Sequence, residues 1–222
     1  VLAYDPAGNL IYRKTPTQAA TNGMIYYLRD RMGRVTSINE MKFVSGSWTV
    51  VSLYTFENDS ATVPPNCTVP QNAKGRVAAV STPLGKTLFS YDGFGHQTVE
   101  ELLKTGNPSC AAPSSSFKTQ VYYSTNGNPY YYIFGDGYRS LYYIYDYGAN
   151  ADRVTAVYVA SGGYSWTQIV QNVDWTARGE LKSYQAWLPD TFQWIPVAYD
   201  RGTDGRLASL SNRCTDRCLS SA

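Results

Sequence analysis

The chain has 222 residues, a net charge of +2, only 16% charged residues, 20 tyrosines and a single histidine. With no basic cluster beyond scattered arginines, it has no electrostatic footprint for nucleic acid, and no apolar run approaches the roughly 18 to 20 residues that span a bilayer. Tyrosine at this density suits a broad sheet face that is neither dry nor fully wet, because the ring packs while the hydroxyl finds a partner.

The chain opens inside a pattern: Val1-Leu2-Ala3 runs into Tyr4-Asp5-Pro6-Ala7-Gly8-Asn9. An Asp, Asn or Ser opens such a turn by accepting backbone amides, and Gly closes it where φ must be positive. Opening mid-pattern, without an initiating Met, predicts a fragment of something longer or a processed product. Residues 25–28 read as a strand leading to Asp30-Arg31-Met32-Gly33-Arg34, and residues 34–38 and 49–54 as the next strands. Residues 58–71, rich in Pro, Asn and Thr, read as an enlarged hairpin tip ahead of the turn Asn72-Ala73-Lys74-Gly75 and the strand 76–80, which starts at Arg76. Thr82-Pro83-Leu84-Gly85 reads as the return turn at the opposite edge, followed by Tyr91-Asp92-Gly93-Phe94-Gly95-His96. Residues 99–104 are the only stretch to weigh as a helix, and six residues do not decide it. A second insertion, residues 105–116, falls at the edge opposite the tips.

Beyond it come the strand 121–123, the turn Ser124-Thr125-Asn126-Gly127 and the strand 141–145. Three looser copies follow. Asp146 opens one in which Asp152 replaces the glycine before Arg153, while Asp174 to Gly179 and Tyr199-Asp200 to Gly205-Arg206 each run two residues longer. The anchors Gly8, Gly33, Gly75, Gly95, Gly127, Asp152, Gly179 and Gly205 step by 25, 42, 20, 32, 25, 27 and 26 residues. Most steps fit two strands and two turns. One such hairpin cannot bury its own apolar face, whereas stacked copies can. The expected architecture is all-β, a single region of repeated antiparallel hairpins forming a long, coiled sheet of about sixteen strands, because each strand twists by about 20 degrees on its neighbour.

These Tyr-Asp-x-x-Gly-Arg turns resemble those of the RHS, or YD-repeat, family, which includes bacterial Rhs effectors, Tc toxin shell subunits and teneurins. The resemblance runs from Tyr4 to about Leu207. It implies a β-sheet that spirals into a hollow shell, secreted or at the cell surface of a bacterium, with a toxin or effector polypeptide enclosed. The segment that bacterial members often carry near the shell's end has no counterpart here, and eight repeats make part of a wall. The partners so implied are the remaining repeats of the same polypeptide and the enclosed cargo.

No constellation calls for catalysis, a cofactor or a metal. His96 takes the place after the turn glycine where other copies carry Arg or Asn, and no orienting carboxylate accompanies a Cys67–His96 pair. Asp5, Asp30, Asp92 and Asp200 are expected to open turns. Cys214 and Cys218 form at most half a zinc site; a short disulfide between them is expected instead. Cys67 and Cys110 are not expected to pair, because strands of about 8 residues set the two edges roughly 26 Å apart and disulfide Cα atoms must come within about 7 Å. The rival function is adhesion to glycans, with Trp175, Trp187 and Trp194 crowding the last third of the chain as flat stacking surfaces.

Overall fold

The computed structural model describes residues 1–20, 23–107, 109–111, 116–135, 139–146, 152–161, 165–190, 192–202 and 205–212. Sixteen antiparallel strands follow one another in one open sheet in the order of the sequence, and the one helix among the described residues is α1 (Pro16–Ala20). The chain divides into two compact units, Val1–Thr119 and Gln120–Ala222, where the repeat pattern reads as one region. The first holds β1 (Leu2–Tyr4), β2 (Leu10–Arg13), β3 (Met24–Arg29), β4 (Val35–Val44), β5 (Ser47–Asn58), β6 (Val77–Thr82), β7 (Gly85–Tyr91) and β8 (Gln97–Lys104). The second begins within β9 (Ser116–Tyr123) and continues through β10 (Pro129–Ile133), β11 (Arg139–Tyr145), β12 (Val154–Ser161), β13 (Trp166–Trp175), β14 (Leu181–Leu188), β15 (Gln193–Arg201) and β16 (Leu207–Asn212).

Residues 99–104 lie in β8, not in a helix. Glu101 and Leu103 are buried while Glu100 is exposed, so the period is two, and the ladder with β7 runs from Gly85↔Lys104 to Tyr91↔Gln97. A six-residue run carries no periodicity of its own to oppose that pairing.

Each hairpin from β1–β2 to β15–β16 closes in the same way. The opening residue donates its N–H to the carbonyl of the residue after the anchor: Asp5 to Asn9, Asp30 to Arg34, Asp59 to Arg76, Asp92 to His96, Ser124 to Asn128, Asp146 to Arg153, Thr176 to Glu180 and Gly202 to Arg206. The anchors carry positive φ, from +73° at Asp152 to +98° at Gly95. A tight turn followed by one left-handed residue matches a three-residue hairpin loop with a glycine bulge. Three openers differ from the sequence expectation. The third is Asp59, not Asn72, so residues 60–74 are inserted inside the turn rather than ahead of it. The last two are Thr176 and Gly202, which leaves Asp174 within β13 and Tyr199 and Asp200 within β15. Both turns thus have the ordinary length.

The insertion corrects the cysteine expectation. Cys67 and Cys110 form a disulfide with Cα atoms 4.9 Å apart. The edge-to-edge distance does not apply, because residues 60–74 lie across one face of β5–β8 as a strap. Directly paired residues share a face, so Glu57, Ala79, Leu88 and Glu101 form one row beneath it. The Thr62 amide donates to Glu57 Oε2 (2.6 Å), the Thr68 amide to Glu101 Oε2 (2.5 Å) and the Gln71 amide to Ser90 Oγ (3.1 Å). Lys86 bridges Glu57 and the Thr62 carbonyl. From the far edge the segment after β8 folds back, and the Cys110 amide donates to the Pro65 carbonyl at 3.1 Å. Most of the buried residues of the first unit, including Ala79, Leu88, Ser90, Glu101 and Leu103, belong to β6–β8. The strap covers the face that a single-layer sheet leaves wet. Cys214 and Cys218 lie outside the described residues.

Gly33→Val should cost about 1–3 kcal/mol from backbone strain alone, since φ is +79° and a Cβ there meets nothing. Gly85→Ala should cost at least as much for a different reason: its Cβ would overlap the backbone carbonyl oxygen of Leu103. Urea denaturation of both variants checks the pair. Replacing Cys67 and Cys110 by Ser opens a loop of sequence separation 43 and should lower stability by about 3–4 kcal/mol. Non-reducing peptide mapping should recover the Cys67–Cys110 linked peptide.

Candidate interaction surface

Two features stand out beyond the strands: the edge that carries the turns and an aromatic face in the second unit. At the turn edge the opener's side chain collects the turn's amides. Asp5 Oδ1 accepts from Ala7 (3.0 Å) and Asn9 (2.8 Å), Asp30 Oδ1 from Met32 (2.9 Å) and Arg34 (3.0 Å), and Asp92 Oδ1 from Phe94 (2.9 Å), Gly95 (2.7 Å) and His96 (2.9 Å). The residue after the anchor returns its side chain to the second oxygen: Asn9 Nδ2 at 3.0 Å, Arg34 Nε at 2.8 Å and His96 Nδ1 at 2.7 Å. Of the carboxylates expected from sequence to open turns, Asp5, Asp30 and Asp92 are thus engaged within their own turns, whereas Asp200 lies in β15; His96 bonds Asp92 while Cys67 is held in a disulfide.

Arg34 also spans two turns, its guanidinium meeting Asp59 at 2.9 and 2.7 Å. That fork, with the Gly75 amide at 2.6 Å, holds the Asp59 carboxyl down at about 2. The Asn9 side chain and amide lower Asp5. For Asp30 and Asp92, desolvation works upward but is outweighed, by Arg34 in one case and His96 in the other, so both fall below the usual range.

The residue immediately before the opener has a role that sequence reasoning missed. At five turns it reaches back to the preceding hairpin and donates to the carbonyl of the first residue of that hairpin's second strand, whereas Arg201, before the last opener, donates to Gly205 of its own turn. Arg29 reaches Leu10 (3.5 Å), Asn58 reaches Val35 (3.4 Å), Tyr91 reaches Val77 (2.8 Å), Tyr145 reaches Pro129 (2.6 Å) and Trp175 reaches Val154 (3.0 Å). The side chains differ but each is a donor long enough for the span. Burial pushes the Tyr91 and Tyr145 hydroxyls up, which keeps them protonated as donors. The signal was in the sequence, in the residue preceding each opener, but its chemical variety hid it.

The aromatic face lies in the second unit. Tyr122, Tyr131, Tyr142 and Tyr158 are paired across β9, β10, β11 and β12 and form one row. Trp166 of β13 joins them because the residues between are small: Trp166 pairs with Ala160, which pairs with Ser140. The indole therefore extends to Tyr131 (5.8 Å between centroids) and Tyr142 (6.1 Å). An open, apolar groove of about 450 Å³ results, lined by Tyr130, Tyr131, Tyr142, Ile144, Tyr158 and Trp166. Tyr142 and Trp166 remain 39% and 42% exposed.

The three tryptophans expected to form a stacking surface do not make one platform. Trp187 and Trp194 pair across β14 and β15 with centroids 5.4 Å apart, and Phe192 packs on Trp187. Trp175 is the donor to Val154 at the turn edge. Among the described residues no helix is long and apolar enough to cross a membrane.

No protein-family model and no curated protein matches the chain. Its fold is similar to two crystal structures, TcdB2-TccC3 (TM-score 0.64, 13% identity) and TcdB2-TccC3-Cdc42 (TM-score 0.63, 14% identity), in each case over 96% of its own length. It spans 12% and 11% of those chains, respectively. The likeness is one of fold.

Tyr91→Phe and Tyr145→Phe should each cost about 1 kcal/mol, by removing the donor while the carbonyl of Val77 or Pro129 stays partly buried. Urea midpoints measure this, and the two losses should add in the double variant. The Asp59 titration tests the fork between turns. Because its folded pKa lies below the unfolded value, its contribution is present above about pH 4 and lost as pH falls through about 2. Carboxyl chemical shifts should show a midpoint near 2 that moves up by more than a unit in Arg34→Ala.

Proposed function

We propose that this chain is a non-catalytic structural scaffold, a segment of a β-sheet wall that encloses a toxin or effector polypeptide, secreted from or displayed on a bacterial cell. The observation that carries the reading is the open sheet of strands in sequence order, with β1 and β16 each paired on one side only among the described residues. An edge strand with free N–H and C=O groups accepts a further strand, and further repeats of the same polypeptide satisfy that need. The fold likeness to TcdB2-TccC3 supports the reading. The non-catalytic part of the reading is supported by Asp5, Asp30, Asp92 and His96, each of which is hydrogen-bonded within its own turn.

A second reading, adhesion through sugar stacking, is favoured by one observation, the exposed rings of the groove around Trp166. Flat aromatic faces accept the apolar faces of sugars. The tyrosine hydroxyls would supply the polar contacts.

The deciding experiment is protease digestion of the full coding polypeptide. The enclosed segment should survive digestion in the intact protein and be degraded once the wall is opened by deleting β1. Uniform digestion of every segment outside the repeats overturns the scaffold reading. Retention of the purified chain on a glycan array, lost in Trp166→Ala, would support the adhesive one.

A further inference from the structure

We propose that Cys67, Cys110 and Glu101 form a redox-gated site for zinc or another thiophilic divalent cation, open when the Cys67–Cys110 disulfide is reduced. The two sulfur atoms and a Glu101 carboxylate oxygen lie within 4.8 Å of one another, and the cysteine Cα atoms are 4.9 Å apart. Zinc bound at about 2.3 Å from sulfur and about 2.0–2.2 Å from oxygen sets its ligand atoms roughly 3.3–3.8 Å apart, which lies inside that spread. The sulfurs must separate from bonding distance to reach that spacing, and both cysteines sit in connecting segments rather than in strands.

Glu101 is the anchor. It is fixed in β8 between the ladder with β7 and the strap, and is 4% exposed. Its carboxylate accepts from the Thr68 amide at 2.5 Å and from Ser116 Oγ at 3.4 Å. These are outer bonds of the kind that orient a ligating carboxylate. Both donors are neutral, so a buried carboxylate beside two sulfurs gains from a cation what its hydrogen-bond partners do not supply. The donor set of two thiolates and one carboxylate suits zinc and leaves a fourth position for water.

The chemistry balances with an external dithiol as reductant. The dithiol loses two electrons and two protons and closes to its own disulfide, while the Cys67–Cys110 bond opens to two thiols. Metal binding then forms two sulfur–metal bonds and releases both thiol protons to solvent. Cys67 and Cys110 are only half-buried, so the reductant has access. With the S–S bond intact neither sulfur is a thiolate, and the oxidised chain has no site.

The test uses the full chain with Cys214→Ser and Cys218→Ser, which removes the other two cysteines. After reduction and anaerobic gel filtration, titration with Co²⁺ should give sulfur-to-cobalt charge-transfer bands and tetrahedral d–d bands that saturate at one equivalent and vanish on adding Zn²⁺. The oxidised chain should show neither band, and Cys67→Ser should abolish them. Glu101→Gln should weaken binding more than about tenfold with the strand circular dichroism unchanged. The proposal is overturned by a folded reduced chain with no charge-transfer band, by equal binding in the oxidised chain, or by unchanged affinity in Glu101→Gln. A reduced chain that loses its strand spectrum and does not regain it with zinc overturns it equally.

Discussion

The structure depends on the donors that precede five of its turns. A two-stranded hairpin is marginal in water, and successive hairpins must be held in register for their half-buried faces to add up. Strand pairing does part of this. At the turn edge, where the ladder stops and a bulge shifts the register, it is the side chain of Arg29, Asn58, Tyr91, Tyr145 or Trp175 that carries a hydrogen bond back to the previous hairpin. The Arg34–Asp59 fork adds a charged link between neighbouring turns. Each unit is thus tied together at the end of its strands where the backbone alone would leave it loose.

A single layer still has to cover at least part of one face. In the first unit residues 60–74 do so, pinned by Glu57, Glu101 and Ser90 and locked by the disulfide to the returning segment. The second unit shows another solution among its described residues. Tyrosines and Trp166 cover one another edge to face, above the small side chains of Ser140 and Ala160. Such rings bury only part of their area, which is why much of the sheet is half-exposed rather than buried.

The all-β class, the number of strands and the anchors were legible in the sequence, because a turn that needs an acceptor at one end and a left-handed residue at the other leaves both residues visible at short range. Residues 99–104 were not, since a run of six residues takes its conformation from the strand beside it. The openers Thr176 and Gly202 were hidden by nearby aspartates, Asp174 and Asp200, that look more like openers but lie in strands. Asp59 was hidden because its turn is interrupted, and with it the path of the strap. The Cys67–Cys110 pairing depends on that path, a contact across a sheet face that no local spacing encodes. The groove around Trp166 depends on the register of β10 to β13, in which two small residues happen to face each other.

The third turn has a consequence of its own. Asp59 and Arg76 keep the same backbone bond that Asp30 and Arg34 make, and Gly75 keeps its left-handed φ, although fifteen residues, 60–74, separate opener from anchor. Closure is set by the two ends alone, and the entropic cost of a longer connection grows only logarithmically. Every hairpin tip is therefore an addressable port: a segment whose ends meet at the opener–anchor spacing can be grafted there without disturbing the strands, and its contents can be drawn over the sheet as a cover or left projecting as a module.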